Sequence, residues 1–172
     1  LFVGSVGIRK GVPWLLRAFE GFSNFAELHL IGPVEKGFEK ILMQHNMAGV
    51  TLRGALASDQ LPAELKAADI FCLPSLEEGF PLSMLQAMAS GLPVITTRET
   101  GAEDIIEPGV EGLVPPSKDS AGLTEALRPL VNNAEQRRQM SIAARRRVEQ
   151  GFSWDDYIDR AIAAYHALVA AT

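Results

Sequence analysis

The fold is decided by residues 68–96, which read ADIFCLPSLEEGFPLSMLQAMASGLPVIT. A short apolar run at Asp69–Leu73 leads into a loop, a segment of helical period from Pro81 to Ala89, and a second apolar run at Val94–Thr96. This alternation of strand-length runs with helical segments is typical of βαβ units. It predicts two parallel strands joined by a helix, and therefore an α/β fold.

The same alternation extends in both directions along the chain. It predicts further strands at Leu1–Val3, Leu28–Ile31, Val50–Leu52 and Gly109–Val114. It predicts helices over Val12–Phe22, over Phe38–His45, from a Ser58 cap to Ala67, from Lys118 onward, and over Trp154–Leu168 after a capping box formed by Ser153 and Asp156. We therefore expect a doubly wound parallel sheet of about six strands flanked by helices, with helices at the C-terminal end.

Composition limits the classes of function. The 172 residues, 47% of them hydrophobic, suit one compact domain, and the net charge of -5 argues against a general nucleic-acid binder. No apolar run approaches the roughly 18 residues that span a bilayer. The single cysteine, Cys72, lies in an apolar run and is expected to be buried and unreactive, as suits a reducing cytoplasm. Because the chain begins inside a predicted strand without Met, we expect it to be part of a longer protein.

The first loop after a predicted strand, residues 4–11, reads GSVGIRKG. It joins flexible glycines and two adjacent cations, Arg9 and Lys10, to a helix N-terminus, a combination suited to binding phosphate. It matches neither the dinucleotide fingerprint nor the P-loop, and solvated loop charges are the alternative interpretation.

The second loop places Glu78 and Gly79 between a buried strand and a helix N-terminus, where backbone N–H groups can hold an anion or hydroxyls. Gln86 follows within an apolar stretch and is expected to be a buried amide with a partner. The alternative is a carboxylate that interacts with the helix dipole and an amide satisfied by backbone. The third loop, residues 100–104, leads a glycine into a possible helix start and is weak evidence by itself.

Two other patterns indicate structure more than chemistry. Five arginines between Arg137 and Arg147 lie over an apolar stripe of helical spacing, which favours a solvated helix face over a nucleic-acid or membrane surface. The three histidines are scattered, with no cysteine or paired carboxylates at ligand spacing, so no metal site is expected.

Together the loops resemble the C-terminal domain of the GT-B glycosyltransferases called group 1, or family 4. Three stretches carry the resemblance: Phe2–Gly11, Ala68–Ile95 and Gly101–Gly112. The resemblance implies that residues 1–172 form one Rossmann-like domain that binds a nucleotide-sugar donor. It also implies retaining transfer of a hexose without a metal, to a sugar or lipid-linked acceptor held by an N-terminal domain absent from this chain. The lack of a D-x-D triplet favours this family over the single-domain, metal-dependent glycosyltransferases.

The resemblance assigns two candidate catalytic residues. Lys10 corresponds to the family lysine that grips the donor diphosphate, and Glu78 to the first Glu of the E-x7-E motif, which contacts the donor sugar. It extends the predicted donor site to ten more residues: Gly4, Ser5, Arg9, Gly79, Phe80, Pro81, Ser83, Gln86, Gly101 and Asp104.

Four positions depart from the family pattern. Ser5 stands where many members have a second phosphate-binding arginine, a role that Arg9 is then expected to take. Gln86 replaces the second Glu of E-x7-E, which binds ribose hydroxyls, and an amide can still donate and accept there. Pro81 and Thr100 each replace a glycine, with Ser83 as a nearby hydroxyl.

Three alternatives stay open. A nucleotide-sugar epimerase shares the architecture, the departures at Ser5 and Gln86 suit a non-catalytic nucleotide-sugar-binding module, and the loops alone suit an unrelated phosphate-binding domain. For the longer protein we expect a cytoplasmic location, with the membrane surface as the alternative.

Overall fold

The structure, a computed structural model, describes residues 1–170 as alternating strands and helices. The strands are β1 (Phe2–Val3), β2 (Leu28–Ile31), β3 (Val50–Gly54), β4 (Phe71–Leu73), β5 (Val94–Thr96) and β6 (Gly112–Leu113). The helices are α1 (Val12–Phe19), α2 (Glu39–Leu42), α3 (Leu61–Ala67), α4 (Leu82–Ala89), α5 (Ser120–Asn132), α6 (Ala134–Val148) and α7 (Trp154–Ala170). The predicted α/β class is confirmed.

All strand pairs are parallel, and they form two three-stranded sheets, β1-β2-β3 and β4-β5-β6. Leu1 joins the sheets, because its N–H group donates to the carbonyl of Ile70 at 2.7 Å and its carbonyl accepts from Cys72 at 2.8 Å. The strands therefore follow the order β3-β2-β1-β4-β5-β6. In this arrangement the chain reverses direction of winding between β1 and β4, and ligands bind beyond the carboxyl ends of these strands.

One apolar core holds the helices on the sheet. Phe2, Leu30, Phe71 and Leu73 are fully buried strand residues, and Leu16 of α1 is equally inaccessible. Burying such side chains contributes about 1.5–3 kcal/mol each before entropy is counted. The core therefore fixes the strand ends from which the loops emerge.

Several predicted helix boundaries were wrong for local reasons. Ser58 does not cap α3: the helix begins at Leu61, and the side chain of Gln60 instead accepts from the Ala57 N–H group at 3.1 Å. The predicted helix over Phe38–His45 is shorter in the structure and spans only α2. Tighter three-residue turns flank it, for example the turn in which the Gln44 N–H group donates to the carbonyl of Ile41 at 2.9 Å.

The helices after β6 follow the predicted pattern. Met140 and Ala144 of α6 are buried beneath the arginine-rich face, as expected. Not all these arginines are merely solvated: Arg137 donates to the carbonyl of Leu130 at 2.7 Å, and Arg147 to that of Ile105 at 2.9 Å. No helix within residues 1–170 combines the length and apolar character needed to cross a bilayer.

The capping box before α7 is confirmed. Ser153 donates its backbone N–H to Asp156 at 3.0 Å, and the Asp156 N–H group donates to the Ser153 hydroxyl at 3.1 Å. The hydroxyl and backbone bonds from Ser153 lower the pKa of Asp156. Cys72 is a free, buried cysteine, as expected, and burial raises the pKa of its thiol to about 12.

Candidate functional site

The first and second loops touch through their backbones at the point where winding reverses. Gly11 has a φ of +73°, and a Cβ atom there would overlap the carbonyl of Pro74. The N–H group of Leu76 donates to the carbonyl of Arg9 at 2.8 Å. Only glycine suits position 11, because it tolerates both the left-handed backbone and the close approach.

This contact brings the two candidate catalytic residues together. Lys10 donates from Nζ to Oε1 of Glu78, and their side chains are only 14% and 12% exposed. The Ser75 hydroxyl lies 3.3 Å from the same oxygen. A carboxylate that accepts several donors in a sheltered position is held in one orientation.

Arg9 points toward the second loop as well. Its Nη1 donates to the carbonyl of Glu77 at 2.9 Å and lies 3.4 Å from Oε1 of Glu78. Its side chain is half exposed, so it can turn toward a ligand with less loss of contact than Lys10. The two cations and Glu78 thus form one charged group across the crevice.

Ser5 takes part in a contact that sequence reasoning missed. Its hydroxyl donates to Oε1 of Glu35, in the loop after β2, at 3.0 Å. That loop runs alongside the first loop through a parallel bridge between Val6 and Val34. No local signal marks Glu35, because its position depends on the pairing of β1 with β2.

The third loop lies against the second. The N–H group of Glu78 donates to the carbonyl of Glu99 at 2.8 Å, and Gly101, at a φ of +67°, has its Cβ position 3.0 Å from the carbonyl of Gly79. The possible helix start is a pair of three-residue turns, Arg98–Thr100 and Ala102–Asp104. The Asp104 side chain is exposed. Gly101 therefore lies against the second loop, and Asp104 lies three residues further along the chain.

Buried hydroxyls hold the second and third loops together. Thr100 donates to the carbonyl of Thr97 at 2.6 Å and lies 2.9 Å from the hydroxyl of Thr96. The hydroxyl of Thr97 donates to the carbonyl of Ser75. All four side chains are completely buried. The departure from glycine at position 100 thus adds a hydroxyl to this network.

The remaining predicted residues line the start of α4. Phe80 is 46% exposed, Pro81 is buried immediately before the helix, and Ser83 is half-buried. Gln86 is exposed, so the expectation of a buried amide was wrong. The reason is rotation about the helix: Met84, Ala87 and Met88 take the core-facing positions.

Two observations limit other sites. Within residues 1–170, no three His, Cys, Asp or Glu side chains cluster in a way that could hold a metal ion. A cavity of about 930 Å³ opens at the opposite end of the sheet, bordered by Leu1, Leu28 and Ile70, and includes none of the three loops. We place the site at the loops, because they combine converging charges with helix starts at the carboxyl edge.

Comparison with known proteins agrees with this geometry. The family described as "Glycosyl transferases group 1" matches residues 1–133. The MMP alpha-(1->4)-mannosyltransferase of Mycolicibacterium hassiacum is 31% identical over 168 residues, which cover 94% of this chain and 41% of that protein. The chain thus spans less than half the length of this relative.

Solved structures share the fold. The sucrose-phosphate synthase from Thermosynechococcus elongatus matches with a TM-score of 0.85 at 26% identity, over 99% of this chain and 46% of that one. Anabaena Alr3699/HepE, in complex with UDP and glucose, matches with a TM-score of 0.80 at 20% identity, over 96% and 48%.

A third structure is a single domain. The C-terminal domain of a glycosyl transferase group 1 family protein (LpcC) from Francisella tularensis matches with a TM-score of 0.81 at 23% identity, over 89% of this chain and 85% of that one. The fold of this chain is therefore shared by a domain that crystallised by itself. The family match over residues 1–133, the mannosyltransferase relative and the arrangement of the loops lead to one conclusion: the chain belongs to the group 1 glycosyltransferases.

Proposed function

We propose that this chain binds the nucleoside diphosphate sugar donor of a retaining hexosyltransferase. The observation that carries the proposal is the convergence of Lys10 and Glu78 from the loops after β1 and β4. A cation next to a sheltered carboxylate suits a ligand that joins a phosphate to a hydroxyl-rich sugar, because each group recognises one part of it.

In the proposed reaction, the bond between the sugar's anomeric carbon and the diphosphate oxygen breaks, the acceptor hydroxyl oxygen bonds to that carbon on the same face, and the hydroxyl proton passes to the departing diphosphate. Negative charge grows on the departing diphosphate. Lys10 and Arg9 stabilise that charge, and their contribution increases toward the transition state. Glu78 accepts hydrogen bonds from sugar hydroxyls and so holds the anomeric carbon in place.

The nucleoside extends along the start of α4 in this proposal. Backbone N–H groups at the first turn of α4 face the diphosphate, with Ser83 close by. Gln86 lies one turn further, on the exposed side, where its amide can bond to ribose hydroxyls. The UDP found with Anabaena Alr3699/HepE supports a nucleoside diphosphate as the ligand class.

The acceptor is held by residues outside this chain, in our proposal. The chain covers only 41% of the mannosyltransferase and 46% of the sucrose-phosphate synthase, so both contain a comparable length of additional protein. Orienting two reactants contributes about 7–11 kcal/mol toward a barrier. Donor binding and sugar transfer should therefore separate between this chain and a longer protein that contains it. The buried thiol of Cys72 suits the cytoplasmic location expected above.

The test measures both steps. Calorimetry with UDP, GDP and ADP and their hexose derivatives is run on this chain and on the longer protein, followed by transfer assays with the donor that binds and a mixed acceptor extract. We expect both proteins to bind nucleotide and only the longer one to transfer. Comparable transfer by this chain would overturn the division of roles. Absence of nucleotide binding by both would overturn the donor site, and conversion of the donor's sugar without transfer would favour an epimerase.

A further inference from the structure

The carboxylate of Glu35 is built into the first loop. The Ser5 hydroxyl donates to it at 3.0 Å, and the Glu35 backbone N–H donates to the carbonyl of Val6 at 3.0 Å. Gly7 provides the space: a Cβ atom at that position would collide with both carboxylate oxygens of Glu35. The Ser5 hydroxyl therefore fixes the carboxylate's position, and the missing side chain of Gly7 leaves room for it.

Glu35 and Lys10 flank the same piece of backbone. The Lys10 side chain passes over Gly4, with its Cδ and Cε atoms 3.6 Å from the Cβ position of that glycine. Glu35 is bonded to Ser5, the next residue, and consecutive Cα atoms lie about 3.8 Å apart. The Lys10 side chain and the Glu35 carboxylate therefore lie against adjacent residues of the first loop.

The charged side chains around the first loop include both signs. Arg9 and Lys10 supply two positive charges, while Glu78 and Glu35 supply two negative ones. The resemblance described above puts a phosphate-binding arginine at position 5, whereas here the side chain at that position is a hydroxyl that donates to a carboxylate. The side chain at position 5 therefore brings a negative charge to the first loop.

We propose that Glu35 sets the strength of diphosphate binding: its fixed carboxylate offsets a cation of the first loop and speeds the departure of the spent nucleoside diphosphate. This inference rests on the proposed function. It names Glu35 as a residue that tunes affinity through charge without contacting the reacting atoms.

The experiment compares Glu35→Gln with a matched control. Glutamine keeps the shape and can still accept from Ser5, so the loop is expected to fold; Glu35→Ala is a second neutral variant. Glu27→Gln makes the same charge change at the opposite end of β2, on an exposed side chain. Affinity for UDP, GDP and ADP is measured by calorimetry at low and high salt, and dissociation rates by stopped flow.

We expect Glu35→Gln to bind the nucleoside diphosphate roughly three- to tenfold more tightly and to release it more slowly, the effect of one unit charge near a solvated anion. The difference should shrink toward about 1 M salt, where charges are screened within roughly 3 Å. Glu27→Gln should match the unaltered chain. Unchanged or weaker binding by Glu35→Gln, or an equal gain in Glu27→Gln, would overturn the inference while leaving the donor site intact. If no nucleoside diphosphate binds the unaltered chain, the proposed function fails first.

Discussion

Lys10 donates to Glu78 across the crevice between β1 and β4, although 68 positions separate the two residues in the sequence. The same Glu78 oxygen also lies near Arg9 and Ser75. A diphosphate that takes Lys10 as a partner therefore competes with a carboxylate of the protein, and donor binding should redistribute these contacts. Each partner can be altered separately.

Replacing Lys10 by Ala should weaken nucleoside diphosphate binding by about 1.5–3 kcal/mol, the range for a hydrogen bond to a charged group. Lys40→Ala, which removes the same charge from an exposed position on α2, is the matched control and should bind normally. Calorimetry on both variants checks the prediction. Equal nucleoside diphosphate affinities of the Lys10→Ala and Lys40→Ala variants would show that Lys10 does not bind the nucleotide.

Glu78→Gln should separate nucleotide from nucleotide sugar. The variant lacks the carboxylate that competes with the diphosphate for Lys10, so nucleoside diphosphate should bind at least as tightly as to the unaltered chain. The additional affinity for the sugar part should fall roughly tenfold, because a charged acceptor is lost. Glu77→Gln is the control, since Glu77 contacts Arg9 only through its carbonyl. A retained preference for nucleotide sugar in Glu78→Gln would contradict the assigned role.

Gln86→Glu should leave both fold and nucleotide binding intact. The side chain is exposed, so the new charge stays hydrated and the free energy of unfolding should change by less than about 0.5 kcal/mol. Thermal unfolding and nucleotide calorimetry measure the two effects. A folded variant that has lost nucleotide would show that ribose is held by a different contact.

Gly11→Ala should destabilise the chain by about 2 kcal/mol or more, because it combines a left-handed backbone with a collision against the Pro74 carbonyl. Gly21→Ala is the comparison: no atom lies within 4 Å of its Cβ position, and its φ is not positive. Urea unfolding of both variants gives the difference. Similar stabilities would mean that the two loops can move apart at little cost.

Thr100→Val should lower the free energy of unfolding by about 1 kcal/mol, the net value of the hydroxyl's buried hydrogen bonds. Thr51→Val, on the exposed edge strand β3, should change it by less than about 0.5 kcal/mol. Chemical denaturation measures both. A larger loss of unfolding free energy in Thr51→Val than in Thr100→Val would contradict the view that the buried threonine hydroxyls near β5 contribute more to stability than an exposed one.

The strands and the adjacency of the loops could be predicted from sequence, because periodicity identifies strands and the order of a doubly wound sheet places their carboxyl ends together. That adjacency brings Lys10 and Glu78 to the same edge of the sheet, but the hydrogen bond between their side chains was not predicted. The side of α4 that Gln86 occupies could not be predicted, since an eight-residue helix with several apolar residues allows more than one core-facing stripe.

The contact between Ser5 and Glu35 lay beyond sequence reasoning for a different reason. It depends on the register of β1 against β2, in which Val3 pairs with Ile31, and on the route of the loop that follows β2. Likewise, serine is a residue type that often caps helices, but Ser58 does not cap α3. The Gln60 side chain accepts from the Ala57 N–H group and forms a turn before the helix. Competing local bonds of similar strength decide such details.

The backbone contact between Gly11 and Pro74 and the bond from Leu76 to Arg9 constrain how these loops can evolve. An inserted residue in either loop would shift its backbone by about 3.8 Å and separate the two at once. Insertions and deletions among related chains are therefore expected elsewhere, for example at residues 55–60 after β3, where the turn closes on itself between Ala57 and Gln60.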